Sequence, residues 1–197
     1  MSVAISVGIT TIPPIEILTV CTGNIHRSPL AAYLLQRDLT ERGFDAHVTS
    51  AGLLEDGRPA AEQILELLDA RGLDASEHLT RRITPELLGA QDLVLGMARD
   101  HVREIILMQP GLNARVFTLK ELVRRGTEVG SRGPDESVAT WLARAAAGRT
   151  PASLLGSSGL DDVADPIGRR FSVFKKTAAE VEGLTADLAE LLAPGAR

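Results

Sequence analysis

Short apolar runs alternating with stretches of helical spacing constrain this chain more than any other feature. A β-prone run from Glu16 to Val20 ends at Cys21, and "SPLAAYLLQRDLTERG" (28–43) follows with a proline suited to a first turn and Gly43 as a stop. "DAHVTSAG" (45–52) reads as a second strand and "RPAAEQILELLDARG" (58–72) as a second helix. "DLVLGM" (92–97) is a continuous apolar run, the pattern of a strand buried on both faces, and the helical "ARDHVREIILMQPG" comes next. "ARVFTL" (114–119) supplies a fourth strand. Strands separated by helices require crossover connections of one hand. The expected fold is therefore α/β, a three-layer sandwich in which a four-stranded parallel sheet carries helices on both faces.

Beyond Leu119 the pattern weakens. "RRGTEVGSRGP" and "GRTPASLLGSSGLDDVADPIGRR" are rich in Gly, Ser and Pro, with the helical "DESVATWLARAAA" between them. Residues 123–160 are expected to form an inserted, loop-rich segment, with Trp141 on its helix as a packing residue. "FSVFKKTAAEVEGLTADLAELLAPG" then recovers an apolar helical period and reads as a long closing helix. With no repeat, the chain reads as one domain spanning 1–197, residues 1–14 forming an N-terminal extension.

Charge and cysteine usage narrow the function. A net charge of -5 provides no global basic field, which argues against nucleic acid as a partner. The lone cysteine cannot form an internal disulfide, so a reducing, cytoplasmic setting is expected. The leading residues lack the positive region of a signal peptide and are interrupted by Pro13 and Pro14. No apolar run approaches the roughly 20 residues that span a bilayer, so no membrane partner is expected.

That cysteine sits where the first strand ends. In parallel sheets, ligands bind beyond the carboxyl ends of strands. A loop running from a strand into a helix aims backbone N–H groups and the positive end of the helix dipole at one point. "CTGNIHRSP" is built for such a cradle: Gly23 relaxes the backbone, Asn24 tolerates left-handed geometry and can brace the loop, and Arg27 can grip two phosphate oxygens. The same field favours the thiolate of Cys21, with Ser28 placed to donate to the sulfur. The chemistry implied is in-line attack on a phosphoryl group and hydrolysis of the phosphocysteine, with no metal or cofactor required. Departure of the leaving oxygen also needs a positioned acid. Asp161, Asp162 and Asp165 are the candidates. The four histidines show no metal-ligand spacing, and His101 reads as an exposed helix residue.

"VCTGNIHRSP" (20–29) resembles the signature of the low molecular weight protein tyrosine phosphatases, a family sharing its fold with arsenate reductases. Similarity extends over Ile15 to Leu192, apart from Val123 to Asp161, through "SAG" (50–52), "DLVLGM", "VFTLKEL" (116–122) and the pair Asp165-Pro166. The resemblance implies Cys21 as nucleophile, with Thr22, Gly23, Asn24, Ile25, His26, Arg27 and Ser28 around the phosphate. It selects Asp165 as the general acid and leaves Asp161 and Asp162 as solvated loop charges. It also implies that Ser50 and His78 join Asn24 in a network supporting the loop. His26 stands where many relatives have a second cysteine.

The implied substrate is a phosphorylated protein or small aryl phosphate, phosphotyrosine first. Ile167 and Gly168 replace the aromatic residues that usually follow Asp-Pro in phosphotyrosine enzymes. A protein-arginine phosphatase subgroup is also similar, but it carries Thr where Ile25 stands here, and Ile25 favours an ester with an apolar aromatic body. Arsenate reduction is the alternative reaction, and with one cysteine it demands an external thiol.

Overall fold

A computed structural model of the chain describes residues 13–54 and 56–195. Most of the expected N-terminal extension, residues 1–12, lies outside the described residues. Within the described residues four strands form one sheet: β1 (Ile15–Cys21), β2 (Ala46–Gly52), β3 (Leu93–Gly96) and β4 (Val116–Thr118), in the order β2-β1-β3-β4. Every neighbouring pair is parallel. Among the described residues, seven α-helices join and cover them: α1 (Arg27–Glu41), α2 (Glu62–Asp69), α3 (Pro85–Gly89), α4 (Arg99–Met108), α5 (Leu119–Val129), α6 (Val138–Ala146) and α7 (Phe171–Leu192). α3 falls where the apolar spacing assigns no element. Thr84 caps it by accepting from Leu87 N, and Pro85 opens it.

Alternation along β1 divides the core into two layers, as period-2 side chains on a buried strand must. Ile17 and Cys21 join Leu93, Leu95 and Phe117 against α1, α2, α5, α6 and α7 on one face. Leu18 and Val20 join Val94 and Val116 against α3 and α4 on the other. The fold is the expected three-layer α/β sandwich. Register aligns the strand ends that matter: Cys21 pairs with Gly52, Val20 with Gly96, and Gly96 with Thr118.

The segment expected to be loop-rich carries more regular structure than its Gly and Ser content suggests. α5 runs through "RRGTEV", its first turn capped by the Thr118 side chain accepting from Glu121 N. Gly126 sits inside that helix for a tertiary reason. A Cβ there would come within 2.8 Å of Leu191 Cδ1 and Trp141 Cζ2, so the missing side chain lets α6 and α7 pack onto α5. Trp141 is fully buried, and its Nε1–H donates to Gly130 O at 2.9 Å. Glu121, 3% exposed, accepts from Arg125 at 3.1 Å and Arg149 at 2.8 Å, tying α5 to the chain beyond α6.

Candidate active site

The loop between β1 and α1 covers Thr22 to His26, and its geometry turns on Asn24. Asn24 has φ 53°, the only left-handed non-glycine among the described residues, a conformation asparagine tolerates better than most. The strain is held by a complete set of hydrogen bonds. Its Nδ2 donates to Ser28 Oγ at 3.0 Å and Ser50 Oγ at 2.8 Å, and its Oδ1 accepts from Arg81 N at 3.1 Å. Its carbonyl lies 2.9 Å from His78 Nε2. Asn24 is fully buried, so each unmade bond would cost the desolvation of its group.

Cys21 is 3% exposed at the end of β1. Ser28 Oγ stands 3.1 Å from its Sγ and 3.2 Å from Ala51 O, and its single hydroxyl proton can turn to either. Because Asn24 donates to Ser28, that proton stays free to face the sulfur. β2 closes the loop from behind. A Cβ on Gly52 would lie 2.9 Å from Thr22 O and Asn24 N, so only glycine allows this approach. Leu53 N, at 2.8 Å, and Leu54 N, at 3.1 Å, donate to Thr22 O, and Ala61 N donates to Ile25 O at 3.0 Å.

Arg27 opens α1 and is 6% exposed. Its Nη2 donates to Asp165 Oδ2 at 2.5 Å and its Nη1 to Val163 O at 3.2 Å. Residues separated by 138 positions thus meet at the loop. His26, also in this cluster, packs its ring 5.5 Å from that of Phe174. Burial pushes His26 below its ordinary value of 6.5, against the raising pull of Asp165 and with a lowering push from Arg27. Burial also lowers His78, and the adjacent Arg81 adds to that despite the hydrogen bond to Asn24.

Thr22, Gly23, Asn24, Ile25, His26, Arg27 and Ser28 follow Cys21 around one loop, with Ser50 and His78 joined to it through Asn24 and Asp165 joined through Arg27. Three readings need correction. Asp161 is not a solvated charge: it is 4% exposed and accepts from Arg99 at 3.0 and 2.6 Å and from Arg124 at 3.2 Å. Burial alone would raise its carboxyl, yet the hydrogen bonds from Arg99 and Arg124 outweigh burial and hold it below 3.8. Asp162 likewise accepts from Arg99 N at 2.8 Å, satisfying an open amide at the start of α4, and from Ser158 N at 2.7 Å. His101 is not exposed: α4 turns it under Thr22, where it is 3% exposed. Together with Val163 N donating to Met97 O at 2.8 Å, the aspartates fasten the segment before Asp165 onto the ends of β3 and α4.

Arg81, Arg99 and Val163 are contacts that sequence reasoning missed. Val163 acts through its main chain, and Arg81 through both its N–H, to Asn24, and its guanidinium, to Ser50 O at 2.9 Å, contacts that no residue pattern announces. Arg99 carries no signal beyond a charge at a helix start.

A family model described as low molecular weight phosphotyrosine protein phosphatase matches residues 16–134. The chain belongs to that family. Membership makes it a cysteine-dependent phosphatase whose chemistry passes through a phosphocysteine. A protein-arginine-phosphatase of Bacillus subtilis (strain 168) is 32% identical over 179 residues, 90% of this chain and 96% of the relative. A probable low molecular weight protein-tyrosine-phosphatase EpsP of Ralstonia solanacearum is 38% identical over 107 residues, 54% of this chain and 71% of the relative. Among solved structures, the low molecular weight protein tyrosine phosphatase from T. tengcongensis superposes with a TM-score of 0.68 at 32% identity, covering 90% of this chain and 99% of that one. Among the described residues, no helix is long and apolar enough to cross a membrane.

Proposed function

We propose that this phosphatase hydrolyses phosphotyrosine in proteins, with Cys21 as nucleophile, Arg27 as phosphate clamp and Asp165 as general acid. The observation that carries the reading is the pairing of Ser28 Oγ with Cys21 Sγ at 3.1 Å, in a loop whose Arg27 reaches Asp165 at 2.5 Å. Arg27 thus ties the proposed acid to the loop that follows the proposed nucleophile.

Cys21 Sγ attacks phosphorus in line with the ester oxygen, forming the S–P bond as the P–O bond breaks. The Ser28 hydroxyl stabilises the thiolate before attack and again as the thiolate leaves. Arg27 and the loop amides from Thr22 to Ser28 take the equatorial oxygens. Arg27 gives one hydrogen each to Asp165 and Val163, which leaves Nε–H and the second hydrogens of both Nη groups for the phosphoryl group. Asp165 protonates the departing phenolate. Its carboxylate then accepts a proton from the water that attacks the phosphocysteine, releasing phosphate and the thiolate.

Ile25 at the loop mouth and Ile167, 60% exposed beyond Asp165-Pro166, offer apolar surface to an aromatic ring. The second reading, phosphoarginine in proteins, is favoured by the near full-length match to the Bacillus subtilis protein-arginine-phosphatase. The lone cysteine, which must stay reduced to act, supports a cytoplasmic site of action.

Side-by-side assays on a phosphotyrosine peptide, a phosphoarginine protein and arsenate with added thiol separate the substrates. Phosphotyrosine turnover is expected to dominate; dominant phosphoarginine turnover overturns the substrate assignment. Cys21→Ser should abolish turnover, and activity retained in it refutes the mechanism. Asp165→Asn should slow phenyl phosphate, with its poor leaving group, about 100-fold or more. Esters of acidic phenols should be slowed far less.

A further inference from the structure

His101 is a buried ring that the reaction above does not use. It stands in the first turn of α4, 3% exposed, with Nε2 3.1 Å from Oγ1 of Thr22, the residue following the nucleophile. Its Nδ1 is buried and has no hydrogen-bond partner among the described residues. Burial, reinforced by the charge of Arg27, lowers the ring to about 4 despite the raising pull of Asp100, Asp165 and Asp162, so it is neutral near pH 7.

A neutral imidazole carries one proton, on one nitrogen. On Nδ1 it would be a buried N–H with no acceptor, a rarer and costlier orphan than a bare lone pair. The proton therefore belongs on Nε2, which donates to Thr22 Oγ1. Thr22 Oγ1 is then an acceptor toward His101, and its own hydrogen remains available. Thr22 is exposed at the carboxyl end of β1, while its carbonyl is held by Leu53 and Leu54. The hydroxyl that His101 fixes thus belongs to the residue that follows the nucleophile in the loop and carries an uncommitted donor.

We infer that the Thr22 hydroxyl, turned by His101, donates to an oxygen of the bound phosphoryl group, which makes His101 a positioning residue for phosphate recognition. The inference rests on the phosphate-cradle reading of the loop and adds to it a side-chain donor that depends on α4.

Two measurements decide it. Ring nitrogen NMR of the intact wild-type protein at pH 7 should place the His101 proton on Nε2; a proton on Nδ1 overturns the proposal without any variant. Calorimetric binding of inorganic phosphate then tests the donor independently of turnover. Thr22→Val and His101→Phe should each weaken phosphate binding about 3- to 10-fold, the worth of one hydrogen bond. The double variant should be no weaker than either single one, and Thr22→Ser should remain within about twofold of wild type. Unchanged affinity in Thr22→Val, or additive losses in the double variant, refute it. If His101→Phe does not fold, the NMR result and the two Thr22 variants suffice. Should Cys21→Ser retain turnover, the catalytic reading falls, but these phosphate affinities still decide the role of Thr22.

Discussion

Asp161→Asn tests how the acid segment is held. The carboxylate is 4% exposed and takes three hydrogen bonds from two guanidinium groups, whose side chains are 18% (Arg99) and 35% (Arg124) exposed. The amide keeps the shape but replaces one anionic oxygen with an NH₂ that faces an arginine. Breaking a fully buried pair costs about 3–5 kcal/mol and an exposed one under about 1. Both arginines are partly solvated and keep other acceptors, Leu155 O for Arg99 and Glu128 for Arg124, so about 2–3 kcal/mol is expected. For a chain of this size that lowers the thermal midpoint by about 5–10 °C. The pH dependence has a definite sign. A carboxyl held below 3.8 in the folded state contributes stability above that value and loses it as pH falls through the folded value. The gap between wild type and variant, read by urea denaturation, should be constant from pH 7 to 5 and shrink below about pH 4. Asp161 also fastens the chain leading to Asp165, so phenyl phosphate should be slowed more than an ester with an acidic phenol. An unchanged midpoint at pH 7, a pH-independent deficit, or equal slowing of both substrates refutes the reasoning.

Other perturbations probe the rest of the loop and its setting. Gly52→Ala would drive a Cβ to 2.9 Å from the loop backbone at Thr22 and Asn24. It should weaken phosphate binding and cost about 1–3 kcal/mol in urea denaturation; unaltered calorimetric binding contradicts the packing argument. His26, His78 and His101 are all lowered by burial from 6.5. The unfolded chain therefore binds more protons below about pH 6.5, and stability should fall as pH drops from 7.5 to 5. His101→Phe should remove part of that slope; a flat stability profile would refute the burial of these rings. Trp141→Phe keeps the ring packing but deletes the bond to Gly130 O, and should cost about 1 kcal/mol by urea denaturation, with phosphate binding unchanged.

Legibility followed distance along the chain. Each strand was visible because its residues are consecutive and mostly apolar, β3 being buried along its whole length, and the phosphate loop because a strand, Cys21, Gly23-Asn24, Arg27-Ser28 and a Pro-opened helix lie within one short stretch. α5 was obscured because Gly126 lowers helical propensity locally, while its compensation, the seating of Trp141 and Leu191, comes from other helices. Asp161 and Asp162 looked solvated because a Gly-rich segment usually is. Their partner Arg99 lies about 60 residues away and meets them only when β3 hands the chain to α4.

The order of residues alone determined the α/β alternation and the chemistry gathered in the loop after the first strand, since apolar period and a contiguous anion cradle are local properties. Tertiary structure decided which acid meets Arg27, which charges are buried and paired, and that His101 lies under Thr22. Those outcomes depend on strand register and helix packing, which bring Arg27 and Asp165 together across 138 residues, and no local pattern encodes such a meeting.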